Sequence, residues 1–163
     1  MDKIEINRLD IESIVNAVFV DITMQMVSIK MLRQEKFNSL SSTDYCFEIR
    51  TEGAFISLIL FEIEEKVYER IATKLDENVK LTIQEKKLYV IEYLNVICGR
   101  ILSEINDRLG KRSKLSVPIR IEHKVIEQFT WSRTDMSYAC LDGGLNIVVY
   151  FESKDNTKED FNI

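Results

Sequence analysis

A chain of 163 residues, 45% apolar and 30% charged, is sized for one domain with an ordinary hydrophobic core. Its net charge of −5 and pI near 5.1 speak against nucleic acid as a partner, which asks for a basic face. No basic-then-apolar leader opens the sequence, and the longest apolar run, 54–61, is too short for a bilayer, so a soluble cytoplasmic protein without membrane contact is expected.

From residue 10 to about 33, Ile11, Ile14, Val15, Val18, Ile22, Met26 and Ile29 recur at spacings of three and four. That predicts an amphipathic helix with Asp10 as N-cap. The Ser-rich stretch 38–43 predicts a loop. Tyr45, Phe47 and Ile49 alternate with smaller or polar residues and predict a strand over 44–50; a turn at Glu52-Gly53 then leads to a second, more buried strand over 54–61. Helical spacing returns over 62–75 through Ile63, Val67, Ile71 and Leu75.

The longest helix signal follows. Thr82-Ile83-Gln84-Glu85 has the form of a capping box, the apolar repeat runs to Leu109, and Gly110 offers a C-terminal stop. Lys111, Arg112 and Lys114, the densest basic cluster, read as a favourable contact with the dipole at that helix end. Period two then takes over: Leu115, Val117, Ile119 and Ile121 predict a strand holding Pro118, which suggests an edge or a bulge. Residues 136–141 and 145–151 around Asp142-Gly143-Gly144 predict a β-hairpin. A single domain over 1–152 with a charged, fraying tail over 153–163 is expected. Its fold class is α+β, a largely antiparallel sheet packed with two or three long helices.

Chemistry-bearing residues are few. Cys46, Cys98 and Cys140 are far apart with no Cys-x-x-Cys pair, as expected of reduced core thiols. His123, the lone histidine, sits between Glu122 and Lys124 and reads as a surface residue; with no zinc-type spacing, no metal or cofactor is expected on this chain. Trp131 fits either a strand end or an interface.

The helix over 82–109 is more informative. At about 100° per residue, Ile91, Leu94, Cys98, Ile101, Leu102, Ile105 and Leu109 gather as a core stripe, while Leu88, Glu92, Asn95 and Gly99 share an arc of about 60° beside it. A carboxylate and a carboxamide thus project one turn apart. Glycine at position 99 costs the helix about 1 kcal/mol relative to alanine. It either leaves a bare patch for a partner or allows a helix–helix contact within the domain. Glu-x-x-Asn also occurs at Glu35/Asn38 and Glu159/Asn162, but only Glu92/Asn95 falls in a well-capped helix.

Glu92, Asn95 and Pro118, with 22 residues between the last two, resemble the pattern of the CheX/CheC/FliY chemotaxis phosphatases, written Asp or Ser, three residues, Glu, two residues, Asn, twenty-two residues, Pro. The segment 92–100, Glu-Tyr-Leu-Asn-Val-Ile-Cys-Gly-Arg, is similar to the family's helix core. Looser likeness extends over about residues 10–152. Leu88 departs from the pattern, standing where Asp or Ser is expected.

The resemblance implies a CheX-like fold and a phosphatase for the phosphoaspartate of a response regulator such as CheY. By carry-over, Asn95 orients the attacking water and Glu92 pairs with a lysine of the regulator, while Leu88, Val96 and Gly99 form the docking surround. Mg²⁺ is expected on the regulator rather than here. A homodimer paired through sheet strands is implied, with the hairpin over 136–151 offering the edge. Two other readings stand beside the enzyme: a module that binds a regulator without hydrolysis, which Leu88 favours, and a structural part of a signalling or flagellar-switch assembly.

Overall fold

The computed structural model describes residues 5–40, 45–76, 80–121 and 131–152. Three helices, α1 (Arg8–Val27), α2 (Glu65–Leu75) and α3 (Ile83–Leu109), pack on a seven-stranded antiparallel sheet of β1 (Leu32–Arg33), β2 (Tyr45–Gly53), β3 (Ser57–Ile63), β4 (Ser113–Leu115), β5 (Ile119–Ile121), β6 (Ser132–Cys140) and β7 (Gly143–Phe151). The strand order is β1-β6-β7-β3-β2-β4, with β5 also paired to β2. The expected α+β class with a largely antiparallel sheet is therefore the observed one.

Alternation divides the sheet. Ile59, Phe61 and Ile63 of β3 and Leu145, Ile147, Val149 and Phe151 of β7 face the helices and join the main core. Leu58, Leu60 and Val148 point to the other face and form a smaller cluster with Ile121, Trp131 and Tyr150. On that second face Asn146, Ser137 and Glu62, all buried, form a polar network. The Ser137 hydroxyl donates to Asn146 Oδ1 at 2.7 Å. Asn146 Nδ2 donates to the Asn38 carbonyl at 2.7 Å and to Glu62 Oε2 at 3.4 Å.

Several expectations need correction. The α1 N-cap is Asn7, not Asp10: Asn7 Oδ1 accepts from the Asp10 N–H, and Asp10 Oδ2 accepts from the Asn7 N–H, a reciprocal capping box. The helix stops at Ser28 in the left-handed conformation, well short of residue 33. Ile29 and Met31 beyond it are still buried, so the apolar rhythm outlasts the helix. Leu32 and Arg33 then pair with Ala139 and Tyr138 as an edge strand.

The second strand starts at Ser57 and takes in Glu62 and Ile63, residues that helical spacing alone places in the following helix. Buried Glu62 shares the polar network, so a charged residue sits in mid-sheet without ending the strand. The strand expected around Pro118 is split into β4 and β5, which pair with successive parts of β2. Proline, lacking an N–H, falls in the break between them. β7 lies inside the sheet, so of the 136–151 hairpin only β6 has an outer side, and β1 covers it at Tyr138 and Ala139. The loop expected over 38–43 is described only to residue 40; 41–43, His123 and the tail over 153–163 lie outside the described residues.

The expectation for α3 holds at both ends. The Thr82 hydroxyl accepts from the Glu85 N–H at 3.2 Å, Glu85 Oε2 accepts from the Thr82 N–H at 2.9 Å, and Gly110 closes the helix at φ +62°. Cys46, Cys98 and Cys140 form no disulfide; the first two are buried, and burial pushes the Cys98 thiol up.

Candidate functional site

The rotation of α3 about its own axis decides which side chains it offers. Val90, Tyr93, Leu94, Ile97, Cys98, Ile101, Leu102 and Ile105 are buried against α1, α2 and the sheet. Of the expected stripe, Ile91 and Leu109 are half-buried, while Val90, Tyr93 and Ile97 join it unforeseen. Polar clamps reinforce this packing. The Tyr93 and Thr23 hydroxyls hydrogen-bond at 2.6 Å in the α1–α3 contact, and Arg108 Nη1 meets Asp10 Oδ1 at 3.1 Å. Toward α2, Lys86 Nζ meets Glu69 Oε2 at 2.7 Å. The Tyr89 hydroxyl donates to Asp76 Oδ2 at 3.2 Å, which raises the phenol's pKa. Burial, partly offset by Thr23, pushes the Tyr93 phenol up as well.

With that rotation fixed, Leu88, Glu92, Asn95, Val96 and Gly99 all face outward. Leu88 is 64% exposed and Val96 41%, two large apolar side chains flanking the polar pair. Neither Glu92 nor Asn95 makes a side-chain hydrogen bond or ion pair among the described residues. Helical geometry sets their Cβ atoms about 5–6 Å apart. The carboxylate and carboxamide are thus adjacent, exposed and, among the described residues, uncommitted.

Gly99 sits one turn beyond Asn95. A Cβ placed there would meet nothing within 4 Å, so among the described residues this glycine serves no helix–helix contact. It opens instead onto a cleft of about 510 Å³ that continues past Ser103 and Asn106 to Lys111 and Arg112. The sequence signal for those two cations, a charge pair at a helix end, gave no hint of this cleft. Pro118, the third motif residue, is buried and takes no part in the exposed face.

Among the described residues no group of three or more His, Cys, Asp or Glu side chains is placed to hold a metal ion, and no helix is long and apolar enough to cross a membrane.

No protein-family model matches the sequence, and no curated protein does so significantly. Solved structures are similar in fold. CheX from Desulfovibrio desulfuricans superposes with a TM-score of 0.75 at 15% identity, over 88% of this chain and 99% of that one. CheX from Vibrio vulnificus gives 0.76 at 16% identity, over 91% and 100%. A chain of the CheX-CheY-BeF3-Mg²⁺ complex from Borrelia burgdorferi gives 0.70 at 16% identity, over 90% and 100%. The chain has the CheX-like fold.

Proposed function

We propose that this protein is a phosphatase for the phosphoaspartate of a CheY-type response regulator, docking through the outward face of α3. One observation carries the reading: Glu92 and Asn95 stand exposed and, among the described residues, unpaired on a firmly braced helix, in a fold shared with CheX proteins. The Borrelia burgdorferi relative is itself a complex with CheY, BeF3 and Mg²⁺.

An acyl phosphate is already activated, so the helper must mainly hold a water in line with phosphorus. The Asn95 carboxamide suits this because its oxygen accepts a hydrogen bond from the water while its NH₂ donates to a phosphoryl oxygen. Water oxygen forms the new bond to phosphorus, the bond to the aspartyl oxygen breaks, and phosphate and a free carboxylate result. Glu92 pairs with a lysine of the regulator, a charge-assisted contact strengthened once docking excludes water. Magnesium, held by the regulator's carboxylates, neutralises charge on the phosphoryl group. Leu88 and Val96 add apolar contact around the polar pair.

The test is decay of a phosphorylated CheY-type regulator with Mg²⁺ in the presence of this protein. Accelerated decay is expected, reduced about 10²-fold or more in Asn95→Ala. In Glu92→Ala the half-saturating concentration should rise about tenfold, equivalent to about 1.4 kcal/mol of binding. Binding without acceleration would leave a docking module, the second reading, which Leu88 favours by standing where the family pattern has Asp or Ser. Neither binding nor acceleration would refute both. A homodimer paired along β6 belongs to the same proposal; a monomer at micromolar concentration in sedimentation would contradict it.

A further inference from the structure

We infer that the cleft beside Gly99 is a socket for an acidic side chain of the docked regulator, with Lys111 and Arg112 as the countercharge. This rests on the docking reading above and specifies the chemistry that the partner must present.

Three observations carry it. First, no described residue uses the space: glycine weakens a helix interior, yet a Cβ at position 99 would touch nothing within 4 Å. Second, the far wall is cationic and uncommitted. Lys111 and Arg112 are exposed and make no side-chain hydrogen bond or ion pair among the described residues, and Asp107 is the single carboxylate on the lining. Third, that wall is held in place by its backbone. The Arg112 carbonyl accepts the Ala54 N–H at 3.3 Å, Asn106 Oδ1 accepts the Ser113 N–H at 3.0 Å, and the Ser113 hydroxyl accepts the Phe55 N–H at 2.8 Å.

Distance separates this role from the hydrolytic one. At about 1.5 Å per residue, the end of α3 at Leu109 lies about 21 Å along the axis from Asn95, and Lys111 follows just past the Gly110 cap. That is about three Debye lengths at physiological salt, so the two cations do not act on the phosphoryl group. It still falls inside one docking footprint, because a patch of about 800 Å² is about 30 Å across. Charges at such a rim set the rate of encounter and its salt dependence. An acidic partner side chain entering the cleft at its Lys111–Arg112 end therefore meets its countercharge while the phosphoaspartate lies over Asn95.

The experiment measures association of a CheY-type regulator, activated with beryllofluoride and Mg²⁺, at several salt concentrations. Lys111→Glu/Arg112→Glu should slow association about tenfold or more and flatten its salt dependence. Gly99→Leu should weaken affinity about tenfold by filling the socket. Lys111→Ala/Arg112→Ala gives a milder change of the same sign, and far-ultraviolet dichroism checks that each variant folds. If wild type binds while charge reversal leaves association and its salt slope unchanged, the socket is wrong and the docking reading stands. The socket is equally refuted if Gly99→Leu binds as wild type does. If no activated regulator binds wild type, the docking reading falls and the socket with it.

Discussion

Gly99→Ala puts the helix-face argument to a test of sign. Glycine in a helix interior is less favourable than alanine by about 0.8–1.0 kcal/mol, through backbone entropy and lost shielding. Three conditions decide whether the gain is realised here. Gly99 lies deep within α3, which runs on to Leu109, and so is away from both caps. Its φ is not among the positive values found at Gly53, Gly110 and Gly143, so alanine meets no backbone strain. The added methyl touches nothing within 4 Å, so no neighbour must move. The full increment of about 1 kcal/mol is expected, which for a domain of this size raises Tm by about 2–4 °C. Gly53→Ala is the matched contrast: φ is +109° and the new Cβ would lie 2.9 Å from the Arg112 carbonyl oxygen, so Tm should fall. Thermal unfolding by calorimetry measures both. An unchanged or lowered Tm in Gly99→Ala would mean that this glycine serves the chain's own packing, and the cleft beside it would lose its first support as a socket.

Tyr93→Phe strands the Thr23 hydroxyl in the α1–α3 contact and should cost about 1–3 kcal/mol in denaturant unfolding. Asn146→Ala should cost a similar amount or more, because it removes the group that joins Ser137, the Asn38 carbonyl and Glu62; an effect under about 0.5 kcal/mol would show that the network is incidental. Alkaline pH should destabilise the fold. Burial raises Cys98 from an ordinary 9.0, and Tyr93 and Tyr138 from 10.0, Tyr138 to about 12. Each group stays protonated in the fold while the unfolded chain ionises. Its contribution is therefore intact below the unfolded pKa and is lost above it, at about 1.4 kcal/mol per pH unit per group. Unfolding midpoints should fall from pH 9 upward and more steeply past pH 10, and Cys98→Ala should delay the onset to the tyrosine range.

Both ends of α3 were legible because each is announced by a local rule: a reciprocal Thr82–Glu85 cap and a glycine that accepts positive φ at position 110. The β6–β7 hairpin was legible for the same reason, with Gly143 at φ +143° just after the two-residue turn. What failed lacked a local signal. Nothing in the sequence around Ser28 marks a stop, and Ile29 and Met31 continue the apolar rhythm because they are buried by tertiary contacts after the helix has ended. Glu62 looked like a helix start because a mid-strand carboxylate is permissible only with a partner across the sheet, and Asn146 is 84 residues away in the chain. The site divides along the same line. Glu92 and Asn95 are coupled by helical spacing, which sequence states directly. The cleft that joins Gly99 to Arg112 depends on the path taken after Gly110, which it does not state.

The same division explains how a site built on one helix can be precise. Position along α3 is fixed by its caps, and rotation by which side chains are buried. Turning the helix by one residue, about 100°, would carry Asn95 toward the sheet and push a core residue such as Ile97 toward water. Exposing one fully buried aliphatic costs about 1.5–3 kcal/mol, and eight α3 side chains are buried, so such a rotation is far above thermal energy. Tyr93, adjacent in sequence to Glu92 and about 100° round the helix from it, is buried and anchored to Thr23 at 2.6 Å. Any sequence that keeps this buried set holds a Glu and an Asn outward one turn apart without dedicating further residues to orient them. The core can therefore drift by exchanging apolar residues while the outward pair stays in register, and a pattern of few residues is all that needs to persist.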